Sequence, residues 1–193
     1  RAASLPAASV PARTYSSSAG GAVQTLPDPD RPDLFYHLFP APTSISASAP
    51  VFALSYLPES PPSVLSCAVI GWLPAAGSGD EAGLNDFVEN ERFREVLHGA
   101  VQSALRDGAD EVQKNGAIQT REGWMHIHGT RNLPALGRIG DPDDIIASVR
   151  VEDGEILADT YQPMPSYRLC TADGVLQLTD GLMARLVETL QAK

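Results

Sequence analysis

Two Asp-Gly pairs in the last third of the chain, Asp153-Gly154 and Asp173-Gly174, constrain the fold more than any other feature. Each stands between short runs rich in β-formers. A two-residue hairpin turn needs positive φ at its central positions, which Asp-Gly tolerates, and its twist matches that of the strands it joins. The chain therefore doubles back here, and the sheet it builds is antiparallel. In Ile145–Val151, Ile145, Ala147, Val149 and Val151 alternate with Ile146, Ser148 and Arg150, giving one apolar and one wetter face. Glu155-Ile156-Leu157 follows the first turn; Tyr167–Thr171 and Val175–Leu178 flank the second. Pro163 and Pro165 force an extended bend between the hairpins.

Upstream, Val51–Leu57 and Cys67–Leu73 read as strands with two apolar faces, joined by the Pro-rich linker Pro58–Ser63. Leu34–Phe39 is a dense apolar cluster, and Gly123–His128 reads as a strand running into a loop over Thr130–Gly140. Helical spacing appears over Asn90–Asp107, where Phe93, Val96, Leu97, Ala100, Val101, Ala104 and Leu105 form one stripe. Asn90 is its natural cap and Gly108 its stop, and a short turn over Asp86–Glu89 precedes it. Asp180 caps a last helix with Leu182, Met183, Leu186, Val187 and Leu190 inward. The expectation is α+β: an antiparallel sheet of about five to six short strands, with a long central helix and a C-terminal helix packed on one face. A chain of 193 residues fits one such domain over 34–193, preceded by a flexible lead-in over 16–33.

The charge is unevenly placed. Against 14 basic residues stand 24 acidic ones, a net charge of -10, which excludes nucleic acid and anionic membrane surfaces as partners. No apolar run approaches the about 18 residues of a membrane span, and Val64–Leu73 is broken by Ser66 and Gly71. The first acidic residue is Asp28; before it only Arg1 and Arg13 carry charge, amid Ala, Ser and Pro. That composition predicts a mitochondrial targeting segment over 1–15, the alternative being a disordered low-complexity tail. Arg13-Thr14-Tyr15-Ser16 fits a matrix-processing site, with Arg13, Tyr15 and Ser16 as its recognition residues. Losing Arg1 and Arg13 with that segment takes the net charge from -10 to -12. The expected address is the mitochondrial matrix, where a Cys67–Cys170 disulfide would not persist.

His126-Ile127-His128 is the most suggestive chemical feature, because alternation on a strand points both imidazoles to one face, within reach of a shared metal. Asp141, Asp143 and Asp144 are candidate carboxylate ligands or bases, and Arg131 and Arg138 candidate anion contacts. An Arg–Asp pairing that pins the loop explains those arginines equally well. The surroundings fit no template. A cupin-like site wants Glu where Arg131 and Asn132 stand; a metallo-β-lactamase-like site wants Asp, and a histidine-triad hydrolase His, where Thr130 stands. There is no G-x-S-x-G elbow and no C-x-x-C, and Gly77-Ser78-Gly79 runs into Asp80 and Glu81, which repel phosphate. No cofactor is expected.

The stretches GRIGDPDDI, VEDG and YQPMPSYRL resemble an uncharacterised group of fungal mitochondrial proteins over residues 121–180. The resemblance implies a compartment but no activity and no catalytic residue. Two functions follow as expectations. One is a non-enzymatic mitochondrial accessory protein, an acidic domain whose partner is another protein or a larger mitochondrial complex. The other is a small-molecule or metal-binding enzyme using His126, His128 and the Asp141–Asp144 loop. A homo-oligomer paired through a sheet edge is a third option.

Overall fold

A computed structural model describes residues 23–75, 84–135 and 138–193. The processing residues Arg13, Tyr15 and Ser16, the 1–15 segment and the Gly77-Ser78-Gly79 loop lie outside the described residues. The architecture is α+β. Five strands, β1 (Gln24–Pro27), β2 (Phe35–Phe39), β3 (Val51–Ser55), β4 (Val69–Pro74) and β5 (Val88–Glu89), form an antiparallel meander in chain order. Two helices follow, α1 (Glu91–Arg106) and α2 (Glu111–Thr120). A second meander, β6 (Gly123–His128), β7 (Ile145–Glu152) and β8 (Glu155–Pro163), precedes a two-stranded hairpin of β9 (Cys170–Thr171) and β10 (Gly174–Val175). Helix α3 (Asp180–Gln191) closes the chain.

Among the described residues the expected single sheet is divided into three: α1 and α2 intervene between the two meanders, and the β9–β10 hairpin pairs by itself. Strand β1 falls inside the stretch expected to be a flexible lead-in; its strand character comes from pairing with β2, Gln24 opposite Leu38 through Pro27 opposite Phe35. At Asp153 (φ 51) and Gly154 (φ 78) both turn residues have positive φ, as the β7–β8 hairpin requires. The second hairpin turns one residue earlier than expected. Thr171 pairs with Gly174, so Ala172-Asp173 make the turn and Gly174 (φ 100) opens β10. The runs expected as strands over Tyr167–Thr171 and Val175–Leu178 pair over only two residues each.

Strands β3 and β4 are covered on both faces, as their composition requires. On one face the Pro-rich linker folds back, so that Val51, Ala53, Val64, Val69 and Trp72 form a small cluster. The Trp72 indole Nε1 donates to the Val64 carbonyl at 2.8 Å, closing it. On the other face Leu54 and Ile70 join the main core with the α1 stripe, β7, and Leu182, Leu186 and Leu190 of α3. Helix α1 packs on α3, β8 and β4, so it is the central helix that the periodicity predicts. Phe93, Leu97 and Val101 have no exposed surface, and burying each is worth about 1.5–3 kcal/mol. Asn90 fixes the start of α1: its side-chain oxygen accepts from the Arg92 N–H, while Nδ2 donates to the Ser66 and Val69 carbonyls at 2.9 and 2.7 Å. Among the described residues no helix is long and apolar enough to cross a membrane.

Helix α2 has no counterpart in the elements expected from sequence. Only Gln113 and Ala117 of its ten residues are buried, so it carries no apolar stripe. Asp110 caps it, accepting from the Gln113 N–H at 3.0 Å.

Candidate functional site

Alternation along β6 sends Met125 and Ile127 into the core and Trp124, His126 and His128 to the opposite face. His126 and Ser148 stand opposite one another across β6 and β7, and His126 Nδ1 lies 2.8 Å from the Ser148 hydroxyl. The two imidazoles meet edge to face, with ring centroids 6.2 Å apart and planes at 85°. His128 is the more enclosed. Its Nδ1 is buried without a hydrogen-bond partner, and Gly140 lies against the ring so closely that a Cβ there would come within 2.9 Å of Nδ1 and Cε1. Burial, then the neighbouring His126, lowers the His128 pKa, with Asp144 opposing.

Both imidazoles line a groove of about 540 Å³ between α2 and β6. Val112, Gly116 and Gln119 of α2 form one wall, and Met125, Leu133, Pro134 and Thr179 complete it with the histidines. Among the described residues no Asp, Glu, Lys or Arg lines this groove. The Thr179 hydroxyl at its edge is buried and unbonded. Val112 (60% exposed) and Leu133 (68%) line the groove, and Ile139 (82%) stands next to Gly140, which lies against His128.

The charged residues of the following loop form a separate cluster. Arg131 and Asp144 pair at 2.6 Å, each side chain only 2% exposed. Every N–H of the Arg131 guanidinium is committed. Nε donates to Asp144; Nη1 donates to the carbonyls of Leu169 and Gly174 at 3.1 and 3.2 Å; Nη2 donates to those of Asp143 and Arg168 at 3.1 and 2.7 Å. The Tyr167 ring lies 5.6 Å beneath it. Asn132 completes the clasp, its Nδ2 donating to Asp141 and Asp144 at 3.0 Å each. Asp143 contributes its backbone carbonyl, which also accepts from the Arg168 N–H. Arg138 is exposed and joins the cluster through no side-chain bond among the described residues.

The residues singled out from sequence therefore separate into two groups. Arg131, Asp141, Asp143 and Asp144 build the loop, whereas His126 and His128 face the groove. Among the described residues, no three His, Cys, Asp or Glu side chains are placed to hold one metal ion. Cys67 and Cys170 are free, and burial raises the Cys170 pKa. Cys170 lines a second cavity of about 510 Å³ beside β9 and β10, with Asp28, Asp30, Tyr36 and Phe87. The Tyr36 hydroxyl there donates to Asp28 at 2.9 Å, and burial and that carboxylate push its pKa up to about 12. The groove itself is not visible from sequence, because one wall is the unexpected α2 and Thr179 arrives from the far end of the chain.

Comparison with protein-family models, curated proteins and solved structures returned no match to this chain.

Proposed function

We propose that this protein is a non-enzymatic accessory protein of the mitochondrial matrix, an acidic domain that docks on a larger complex. One observation carries the reading: the charged loop beside the groove is consumed by its own scaffold. Arg131 has no donor left for a substrate, and its partner Asp144 is equally buried. Beside it Val112, Leu133 and Ile139 turn apolar side chains outward, each more than half exposed. Exposed apolar groups gathered around a concavity are the usual mark of a contact surface. The N-terminal composition supports the address.

A photoreactive residue in place of Leu133, expressed in cells, tests the reading. The expected result is a discrete cross-linked species, heavier than the chain, in the matrix fraction. A chain that elutes from matrix extract only at monomer mass, with no cross-link, overturns the docking role. Recovery outside mitochondria overturns the address.

One observation favours the enzyme reading: His126 and His128 line the same groove. Elemental analysis of the purified protein, beside the His126→Ala, His128→Ala double variant, separates the two. A stoichiometric metal lost in the variant would favour the enzyme.

A further inference from the structure

The groove runs along a sheet edge rather than over a sheet face. Met125 points to one side of β6 and His126 and His128 to the other, yet all three line it. Strand β6 is terminal in the order β6-β7-β8, and among the described residues its backbone bonds only to β7. The alternate N–H and C=O groups along its other side therefore point into the groove.

The chain itself already occupies the first position of the missing lane. Just beyond β6, the Thr130 N–H donates to the Gln177 carbonyl at 2.8 Å, and a Cβ on Gly129 would lie 2.9 Å from that same oxygen. The lane continues from there past Thr179 along His128 and His126 to Met125, with α2 as its outer wall.

Resting on the reading of the protein as a docking domain, we infer that an extended segment of a partner protein adds to β6 as a fourth strand in this groove. Charge decides its chemistry. Among the described residues the lining contains no Asp, Glu, Lys or Arg, so the inserted residues are uncharged; a charge there would be desolvated without a partner. The chain beyond residue 15 carries -12, having lost Arg1 and Arg13 from the -10 total, so the flanks of the segment are basic. A second copy of this chain does not fit. Its β6 would enter the lane with its own β7 bonded behind, in the space that α2 occupies. Main-chain bonds would supply affinity, and Val112 and Leu133 the contacts that select side chains.

Selection of a random linear-peptide phage library on the full chain tests this. The expected binders share an uncharged, β-prone core flanked by Lys or Arg, and binding slows hydrogen exchange at the amides of β6. Val112→Asp and Leu133→Asp should each weaken binding about tenfold or more. Ile118→Asp, exposed on α2 but outside the groove, should leave it unchanged. No enrichment overturns the proposal. So do binders that are helical, binders indifferent to both groove substitutions, or concentration-dependent protection of β6 in the free chain. Peptides that bind elsewhere would remove the groove and leave the docking role standing, while the docking role itself fails only on monomer elution from matrix extract with no Leu133 cross-link.

Discussion

The Asp110 carboxylate accepts the backbone N–H of Gly181 at 3.0 Å, although the two residues belong to different helices. The same Oδ2 accepts the Leu182 N–H at 3.2 Å, and Oδ1 accepts the Gln113 N–H at 3.0 Å. One side chain thus caps both α2 and α3. The nominal cap of α3, Thr179, makes no side-chain capping bond. A negative charge at two helix N-termini is favourable on both counts, hydrogen bonding and dipole.

Asp110→Ala should therefore cost more than an ordinary cap, about 2–4 kcal/mol, since two helices lose their acceptor in a buried place. Asp110→Asn, which keeps a single acceptor oxygen, should lose roughly half of that. Urea denaturation measures both. A loss below about 1 kcal/mol for the alanine variant would mean that water replaces the carboxylate without penalty.

Removing one member of the Arg131–Asp144 pair leaves the other charge buried, so Asp144→Ala should destabilise by about 3–5 kcal/mol. Arg131→Met should be comparably costly, since it strands four carbonyl acceptors as well as Asp144. A double-mutant cycle is the measurement. Purely additive losses would show that the two groups do not depend on each other.

His98 sits between α1 and β8, its Nδ1 2.8 Å from the Tyr161 hydroxyl. Burial, then the nearby Arg94, pushes its pKa from 6.5 down to about 4. The folded chain refuses a proton that the unfolded chain accepts. Stability should be whole above pH 6.5 and decline as pH falls toward 4, by about 1–2 kcal/mol once solvent screening is allowed for. His98→Gln should flatten that limb; His37 and His128, also lowered by burial, account for what remains. An unchanged slope in the variant would assign the effect elsewhere.

Two glycines should respond in opposite directions. Gly99 is exposed in the middle of α1 with nothing within 4 Å of an added methyl group, so Gly99→Ala should gain about 0.5–1 kcal/mol. At Gly181 a Cβ would collide with the Ala109 carbonyl and the Asp110 backbone, so Gly181→Ala should lose about 1–3 kcal/mol. Thermal melts of the pair check both signs.

What the sequence discloses follows from how many residues express a feature locally. The α1 stripe repeats through Phe93, Leu97, Ala100, Val101 and Ala104, and Asp153-Gly154 carries its turn geometry in two residues, so both are legible. Helix α2 is not, because only Gln113 and Ala117 are buried and its cap is shared with α3. Strand β1 exists through its partner Phe35–Phe39, not through its own Gln-Thr-Leu-Pro. The candidate site divides the same way. His126 and His128 share a face by alternation alone, whereas the Arg131 clasp needs carbonyls from Leu169 and Gly174 that no local pattern brings near.

The five bonds of Arg131 reach 37 to 43 residues along the chain to Arg168, Leu169 and Gly174, and 12 to 13 to Asp143 and Asp144. A secreted domain would close loops of that length with a disulfide, whose survival depends on the redox poise around it. A guanidinium stays charged at any pH a cell reaches and has no thiol to reduce. This chain staples its C-terminal third with a clamp that no reductant can undo, while both of its cysteines stay free.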